Sequence, residues 1–103
     1  MEFIETGLFT NLIFDYLSED QYKDFQLFLA QHPGSGDIIK DSGGIRKVRW
    51  KLEKKGKSGG VRVIYYWKRS DDEIWLLTLY KKSEQANISK KALKQIAKEL
   101  KNV

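Results

Sequence analysis

Residues 43–67, with the sequence GGIRKVRWKLEKKGKSGGVRVIYYW, decide the fold of this 103-residue chain. In the first part, Val48 and Trp50 alternate with cationic residues, which is the period-two pattern of a half-buried β-strand. In the second part, residues 61–67 are mostly β-branched or aromatic, so they are predicted to form a strand near the centre of a sheet. The stretch is therefore predicted to be a hairpin with one cationic face and a loop, residues 53–60, rich in Lys, Gly and Ser.

Two helices are predicted to precede the hairpin. Thr6 is positioned to cap the first, because apolar residues recur at helical spacing directly after it. Ser18 begins the capping-box pattern Ser-x-x-Gln at the start of the second, which is expected to end just before Pro33. Residues 2–5 and 37–40 are predicted to be short strands, the latter at the edge of the sheet.

A third long strand and a C-terminal helix are predicted to follow the hairpin. Alternation in residues 73–82 predicts that one strand face carries Trp75, Leu77 and Leu79. The other face is predicted to carry Ile74, Leu76, Thr78, Tyr80 and Lys82. Asn87 or Ser89 is expected to cap the helix, whose apolar face is predicted to consist of Ile88, Ala92, Ile96 and Leu100. The order β–α–α–β–β–β–α predicts an α+β domain: an antiparallel β-sheet with two N-terminal helices and one C-terminal helix.

Length and composition are those of a small globular domain. With 41% hydrophobic residues the chain can bury one core, so residues 1–103 are predicted to form a single domain. The absence of cysteine and the single histidine exclude a disulfide framework and a zinc-type cluster. Apolar runs are too short to span a bilayer, and the acidic N-terminus lacks the basic region of a signal peptide. A cytoplasmic protein without a membrane partner is therefore expected.

Charge is unevenly distributed along the chain. Residues 1–42 contain eight acidic and two basic residues, a formal charge of −6, whereas residues 43–103 contain seventeen basic and six acidic residues, a formal charge of +11. Such asymmetry indicates a nucleic acid, an acidic protein or a membrane surface as partner, although an ordinary solvated surface gives the same composition. The Trp and Tyr residues interleaved with Lys and Arg favour RNA, whose bases stack on aromatic rings.

The residues available for catalysis are chiefly Lys, Arg and Tyr. No glycine-rich phosphate loop opens a helix, and His32 is better interpreted as a helix-terminal residue than as a catalyst. The carboxylates at 71–73 are consecutive in a turn, which points their side chains apart and disfavours a metal site. Lys and Arg can cleave RNA without a metal, since a lysine can act as base for the 2′-hydroxyl and an arginine can bind the phosphate charge. Arg62, next to the basic loop, is the sharpest candidate for that arginine.

The hairpin and the strand after it resemble a known family. The pattern GGIRKVRW…KKGKSGGVRVIYYW…IWLLTLYKKSE is similar to the HigB branch of the RelE-like toxins, the small ribonuclease toxins of bacterial toxin–antitoxin pairs. The resemblance extends back through YLSEDQYKDFQLFLAQHPGSGDII and so covers nearly the whole chain. It implies the microbial-ribonuclease-like α+β fold of the RelE superfamily. It also implies cleavage of mRNA on the ribosome without metal or cofactor, and a cognate antitoxin, a HigA-like helix-turn-helix protein, as partner.

The resemblance carries over individual site residues. It implies catalytic roles for the arginine of GG-x-R, the loop lysines and the basic residue after the last strand, which are Arg62, Lys55, Lys57 and Lys82. It implies RNA contacts from the basic strand and loop, which here supply Arg46, Lys47, Arg49 and Lys54. Many RelE relatives have a further arginine where this chain has Ser83, and some also have a tyrosine where this chain has Ser89. Tyr80, predicted to share a strand face with Lys82, is the candidate substitute.

Two other functional classes are compatible with the same residues. One is a non-catalytic RNA- or DNA-binding module with the same fold, and the other is an interaction protein whose basic face recruits an acidic partner. Arg62 together with the lysines named above favours catalysis, because non-specific binding needs positive charge but not those particular positions.

Overall fold

A five-stranded β-sheet with helices on both faces forms the centre of the molecule. The computed structural model describes residues 1–51, 60–84 and 89–101. The elements in chain order are β1 (Glu2–Glu5), α1 (Gly7–Tyr16), α2 (Glu19–Gln31), β2 (Asp37–Ile38), β3 (Arg46–Trp50), β4 (Val61–Lys68), β5 (Glu73–Lys81) and α3 (Lys90–Lys101). This arrangement confirms the predicted α+β class and both short strands. None of these helices is both long and apolar enough to cross a membrane.

Strand β4 lies at the centre of the sheet, whose strand order is β1-β5-β4-β3-β2. Val61, Val63 and Tyr65 are buried on one face of β4, and Ile64 and Tyr66 are buried on the other. Because both faces are covered, the strand is apolar almost throughout, as its sequence predicted. Neighbouring strands pair antiparallel except at one edge, where β1 and β5 pair in parallel.

Helices α1 and α2 cover one face of the sheet. Thr6 caps α1 by accepting a hydrogen bond from the Phe9 N–H at 3.1 Å. Ser18 and Gln21 form both hydrogen bonds of the predicted capping box at the start of α2. Phe9 and Phe25 are fully buried between these helices and the sheet, and burial of such a side chain stabilises a fold by about 1.5–3 kcal/mol.

Helix α3 packs on the opposite face of the sheet, with its first turn capped by Ser89, which accepts the Ala92 N–H at 3.1 Å. Its buried residues are Leu93, Ala97 and Leu100, whereas Ala92 is exposed. The predicted apolar face is therefore wrong by about one position, although its Leu100 is buried and its Ile96 is partly buried. Ile88, the remaining predicted residue, lies outside the described residues.

Gly43 lies against the buried stripe of α3 at Ala97. The glycine has a φ angle of +82°, and a Cβ atom added there would lie 2.9 Å from the Cβ of Ala97. Two small residues thus allow the helix to approach the turn before β3 closely. Periodicity alone cannot distinguish this stripe from the one predicted, because both repeat at helical spacing.

A β-bulge interrupts the pairing of β4 with β5. Ile64 pairs with Thr78, but the next residue of β4, Tyr65, pairs with Leu76. Leu77 is consequently an extra residue without its own partner on β4. An extra residue of this kind shifts the alternation of side chains along the strand by one position.

The bulge changes which face the second half of β5 presents. Leu79 is buried in the core beneath α1 and α2, whereas Leu77 and Tyr80 pack on the α3 side. The predicted faces are therefore wrong beyond Leu77, because strict alternation does not allow for a bulge. The consequence is that Tyr80 projects from the same face as Arg62, with which it pairs.

Candidate active site

Three polar side chains form a row across the sheet near one of its ends. Arg62 of β4 pairs with Arg49 of β3 on one side and with Tyr80 of β5 on the other. Directly paired residues on neighbouring strands project from the same face, so all three lie on the face that α3 partly covers. The adjacent pair, Trp50 and Val61, contains the last residue of β3 and the first of β4. The row therefore lies at the rim of the sheet.

The guanidinium of Arg62 has a buried N–H donor that makes no hydrogen bond to the described residues. Its Nη1 atom is buried and has no hydrogen-bond partner among the described residues. Buried donors in folded proteins are nearly always paired, so an unpaired one is a place where a water molecule, an ion or a ligand can bind. Arg49 places a second positive charge directly opposite, and like charges in that position destabilise a strand pair. Both features favour an anion-binding site at the row.

The basic residues of β3 are divided between the two faces of the sheet. Lys47 and Arg49 are exposed and lie on the α3 side, the face of the row. Arg46 pairs with the buried Tyr65 and lies on the opposite face. The structure thus brings Lys47 and Arg49 together with Arg62 and separates Arg46 from them.

Arg46 stabilises the turn that precedes β2. Its Nη1 donates to the carbonyl oxygens of Gly34 at 3.1 Å and Gly36 at 2.8 Å. The buried Tyr65 hydroxyl holds the same turn, since it donates to the Pro33 carbonyl at 2.7 Å and accepts the Gly36 N–H at 3.0 Å. Burial raises the pKa of Tyr65, which keeps this hydroxyl available as a donor. Arg46 therefore has a structural role, and its place on the face opposite the row argues against the RNA contact that the resemblance implied.

Three of the predicted site residues lie outside the described residues: Lys54, Lys55 and Lys57. The described residue nearest to them on the β4 side is Gly60, which has a φ angle of +82°. A Cβ atom at Gly60 would lie 2.5 Å from the carbonyl oxygen of Trp50, so only glycine fits there. Gly60 therefore sets the approach of β4 to the end of β3, two residues before Arg62.

Lys82 lies in a turn and not in β5, which ends at Lys81. The Glu84 N–H donates to the Lys81 carbonyl at 2.9 Å, which closes a β-turn with Lys82 and Ser83 at its centre. The predicted strand face shared by Tyr80 and Lys82 is therefore wrong, because strand alternation ends before Lys82. Lys82 is exposed, and its side chain has no hydrogen bond or ion pair within the described residues.

The carboxylate of Glu84 attaches this turn to α1. Its Oε1 accepts the Lys81 N–H at 2.9 Å and the Tyr16 hydroxyl at 2.9 Å. These donors, the Lys81 N–H foremost, hold the pKa of Glu84 below its usual value, while burial and Glu84 raise the pKa of Tyr16. The Lys81 ammonium also lies 5.8 Å from the centre of the Tyr16 ring. Sequence reasoning missed these contacts, because Tyr16 and Glu84 are 68 positions apart in the chain and share no local pattern.

The acidic residues just before β5 and the single histidine have structural contacts at different places in the fold. Asp71 lies 2.8 Å from the Lys68 ammonium, and Asp72 lies 3.0 Å from the N-terminal amine. His32 caps the C-terminus of α2, as predicted. Within residues 1–51, 60–84 and 89–101, no group of three or more His, Cys, Asp or Glu is arranged to hold a metal ion.

The row has the chemical groups needed to bind a phosphate diester. Arg62 offers a planar fork of N–H donors, Tyr80 adds a phenol hydroxyl on the neighbouring strand, and Arg49 adds positive charge. Lys82 places an ammonium group immediately after the strand that carries Tyr80. The predicted base for a 2′-hydroxyl belongs to the loop lysines, which lie outside the described residues.

Comparison with known protein families adds independent information. The sequence model of a family described as "RelE toxin of RelE / RelB toxin-antitoxin system" matches residues 8–103. The matched range begins within α1 and includes every strand from β2 to β5 as well as α3. It therefore contains the whole row, the loop lysines and the turn of Lys82.

Proposed function

The chain belongs to the RelE toxin family of toxin–antitoxin systems, and on that basis we propose that it is an endoribonuclease that cleaves mRNA on the ribosome and so inhibits translation. In this proposal the chain is one toxin domain, residues 1–103, of the HigB branch. It acts in the cytoplasm and needs neither a metal ion nor a cofactor.

The unpaired Nη1 atom of Arg62 is the observation that carries this proposal. An arginine with a structural role has protein acceptors, as Arg46 has in the carbonyls of Gly34 and Gly36. Arg62 has a second cation, Arg49, opposite it and no acceptor for Nη1 among the described residues. A phosphate oxygen would satisfy the donor and neutralise the like-charge pair at once.

The proposed reaction is an internal transfer at phosphorus. The 2′-oxygen of one nucleotide forms a bond to the adjacent phosphorus while the bond from phosphorus to the 5′-oxygen breaks. A neutral lysine, Lys55 or Lys57, takes the 2′-hydroxyl proton, and Lys82 gives a proton to the leaving 5′-oxygen. Arg62 and Tyr80 donate to the phosphate oxygens, whose negative charge increases in the transition state. The products are a 2′,3′-cyclic phosphate and a 5′-hydroxyl.

The remaining basic residues on this face are proposed to bind the RNA backbone. Arg49 is the exposed member of the row, Lys47 is exposed beside it on the same strand, and Lys54 follows them in the chain. The cognate antitoxin is proposed to be a HigA-like helix-turn-helix protein that neutralises the toxin. A basic site is most simply blocked by an acidic or amphipathic segment of such a partner.

The test is to map mRNA ends on translating ribosomes with wild type, Arg62→Ala, Arg62→Lys and Arg69→Ala. Arg62→Ala should lower the cleavage rate by about 10²–10³-fold, the usual effect of losing one transition-state donor. Arg62→Lys should also be impaired, because an ammonium cannot replace the guanidinium fork. Arg69→Ala removes the same charge beyond the far end of β4, where Arg69 lies 4.5 Å from the Trp67 ring centre, and should cleave normally.

The identity of the ends distinguishes the mechanisms. Cyclic phosphate ends that form equally well with and without EDTA support the proposed reaction. Ends with a 3′-hydroxyl that disappear with EDTA would refute the metal-free mechanism. A wild-type protein that binds ribosomes and leaves mRNA intact would favour the alternative, a non-catalytic RNA-binding module.

A further inference from the structure

Two hydrogen bonds between Glu84 and the backbone of Lys81 close the turn after β5. Glu84 donates its backbone N–H to the Lys81 carbonyl, and the carboxylate of Glu84 accepts the Lys81 N–H, each at 2.9 Å. A β-turn of this kind often has only the first of these hydrogen bonds, or neither. Both hydrogen bonds join Lys81 to Glu84, and Lys82 and Ser83 are the two residues between them in the chain. The backbone on each side of Lys82 and Ser83 is therefore restrained.

A third contact attaches the closed turn to the helical layer. The Tyr16 hydroxyl donates to the same Oε1 atom of Glu84 at 2.9 Å, from the last residue of α1. The Lys81 side chain leans over the Tyr16 ring, with its ammonium 5.8 Å from the ring centre. Of the two consecutive lysines, Lys81 thus contacts α1 through the Tyr16 ring. The Lys82 side chain has no hydrogen bond or ion pair in the described residues.

We propose that Glu84, held by Tyr16, is a positioning residue that fixes the turn from which Lys82 acts at the rim carrying Arg62. The inference rests on the proposed function, in which Lys82 protonates the leaving oxygen. The register places Tyr80 opposite Arg62 and Lys81 opposite Val61, so Lys82 follows directly at the end of the sheet. An acid on an exposed turn needs such restraint, because catalysis depends steeply on the placement of the reacting groups.

Single-turnover cleavage of ribosome-bound mRNA by Glu84→Ala, Glu84→Gln and Tyr16→Phe tests the proposal. Glu84→Ala should lower the rate at saturating ribosomes, by up to about 10²-fold, with little change in the half-saturating ribosome concentration. Glu84→Gln should retain most of the rate, since its amide oxygen can accept the same two hydrogen bonds. Tyr16→Phe should have an intermediate rate, because the Lys81 N–H remains bonded. Thr10→Ala is the matched control, since it removes an exposed hydrogen bond from the same helix to Glu5.

A double-mutant cycle shows whether Glu84 acts through Lys82. Once Lys82→Ala has removed the acid, adding Glu84→Ala should cause no further loss of rate. A full additional loss, or a wild-type rate for Glu84→Ala, would overturn the positioning role while leaving the ribonuclease proposal intact. A wild-type rate for Lys82→Ala would overturn the positioning role and also remove Lys82 as the acid of the proposed reaction, although the chain would still be a ribonuclease. Absence of cleavage by the wild-type protein would instead refute the ribonuclease proposal, and the positioning role would fall with it.

Discussion

Arg49 and Arg62 are paired residues on adjacent antiparallel strands, and both side chains project from the α3 face of the sheet. Cβ atoms of such a pair lie about 5 Å apart, a separation at which like charges destabilise the sheet. Arg62 has in addition a buried Nη1 atom without a partner in the described residues. The like-charge pair and the unpaired buried donor both disfavour the folded state, and they occur at the same residue, Arg62. Unfavourable features of this kind are expected at functional sites.

Removing one charge of this pair is expected to stabilise the protein. Arg49→Gln should raise the free energy of unfolding by about 0.2–1 kcal/mol, measured by urea denaturation at low salt. Lys47→Gln is the matched control on the same strand and face, but its neighbours are Ile64 and Asp37 and not a cation. Lys47→Gln should not stabilise the protein. Equal stabilisation by both variants would attribute the effect to net charge and not to the pair.

The affinity for ribosomes or single-stranded RNA should fall steeply as salt increases, because bound lysines and arginines displace counterions from phosphates. Each lost phosphate contact should reduce the slope of log affinity against log salt by about 0.7 on a single strand. Arg49→Gln should therefore flatten the slope, whereas Arg69→Gln, beyond the opposite end of β4, should not. An affinity that does not change between low and moderate salt would contradict a phosphate-binding surface.

Gly60→Ala is expected to destabilise the rim of the sheet. Gly60 has a positive φ angle, and the added Cβ would lie 2.5 Å from the Trp50 carbonyl oxygen. The left-handed conformation alone costs about 1–2 kcal/mol for alanine, and the contact adds to this cost. Gly34→Ala is the control, because its Cβ would lie 3.5 Å from the Trp67 ring, an ordinary contact distance. Thermal unfolding should separate the two variants, and similar midpoints would contradict the close approach.

Arg46 is expected to contribute to stability and not to cleavage. Arg46→Ala removes hydrogen bonds to the Gly34 and Gly36 carbonyls, which should lower the free energy of unfolding by about 1–3 kcal/mol. Its cleavage rate per folded molecule should remain near that of wild type. Arg62→Ala should show the opposite pattern, with a large loss of rate and little loss of stability. A large loss of rate in Arg46→Ala at unchanged stability would return Arg46 to the RNA-binding set.

Features that depend on short stretches of sequence could be predicted. The caps at Thr6 and Ser18 and the central position of β4 each follow from a few adjacent residues. The alternation in β3 also predicts that its basic residues lie on two different faces of the sheet, since Arg46 is in phase with the apolar Val48 and not with Arg49. Arg62 could be singled out as a candidate because it interrupts an apolar strand beside a basic loop.

Features that depend on contacts between distant residues could not be predicted. The bulge at Leu77 appears only when β5 is aligned with β4, and it determines whether Tyr80 faces Arg62. The buried stripe of α3 depends on how closely Gly43 allows Ala97 to approach. The bond between Tyr16 and Glu84 connects the end of α1 to the end of β5, and neither residue stands out in its own stretch.

The pKa of Glu84 is expected to lie below the usual value for a glutamate side chain. The Lys81 N–H and the Tyr16 hydroxyl both donate to the ionised carboxylate, and the positive charge of Lys81 acts in the same direction. Because the pKa is lower in the folded state, the ionised carboxylate stabilises the fold. This contribution is complete above the pKa of the unfolded chain and is lost as pH falls through the pKa of the folded state.

Tyr16→Phe should raise the pKa of Glu84 part of the way back to its usual value, because the hydroxyl donor is lost while the Lys81 N–H remains. The measurement is an NMR titration of the Glu84 side-chain carboxyl carbon in wild type and variant. Thr10→Ala removes a hydroxyl that donates to Glu5 at 2.6 Å and should leave the Glu84 titration unchanged. If Tyr16→Phe also leaves it unchanged, α1 does not hold the turn in solution, and the position of Lys82 depends on the Lys81–Glu84 hydrogen bonds alone.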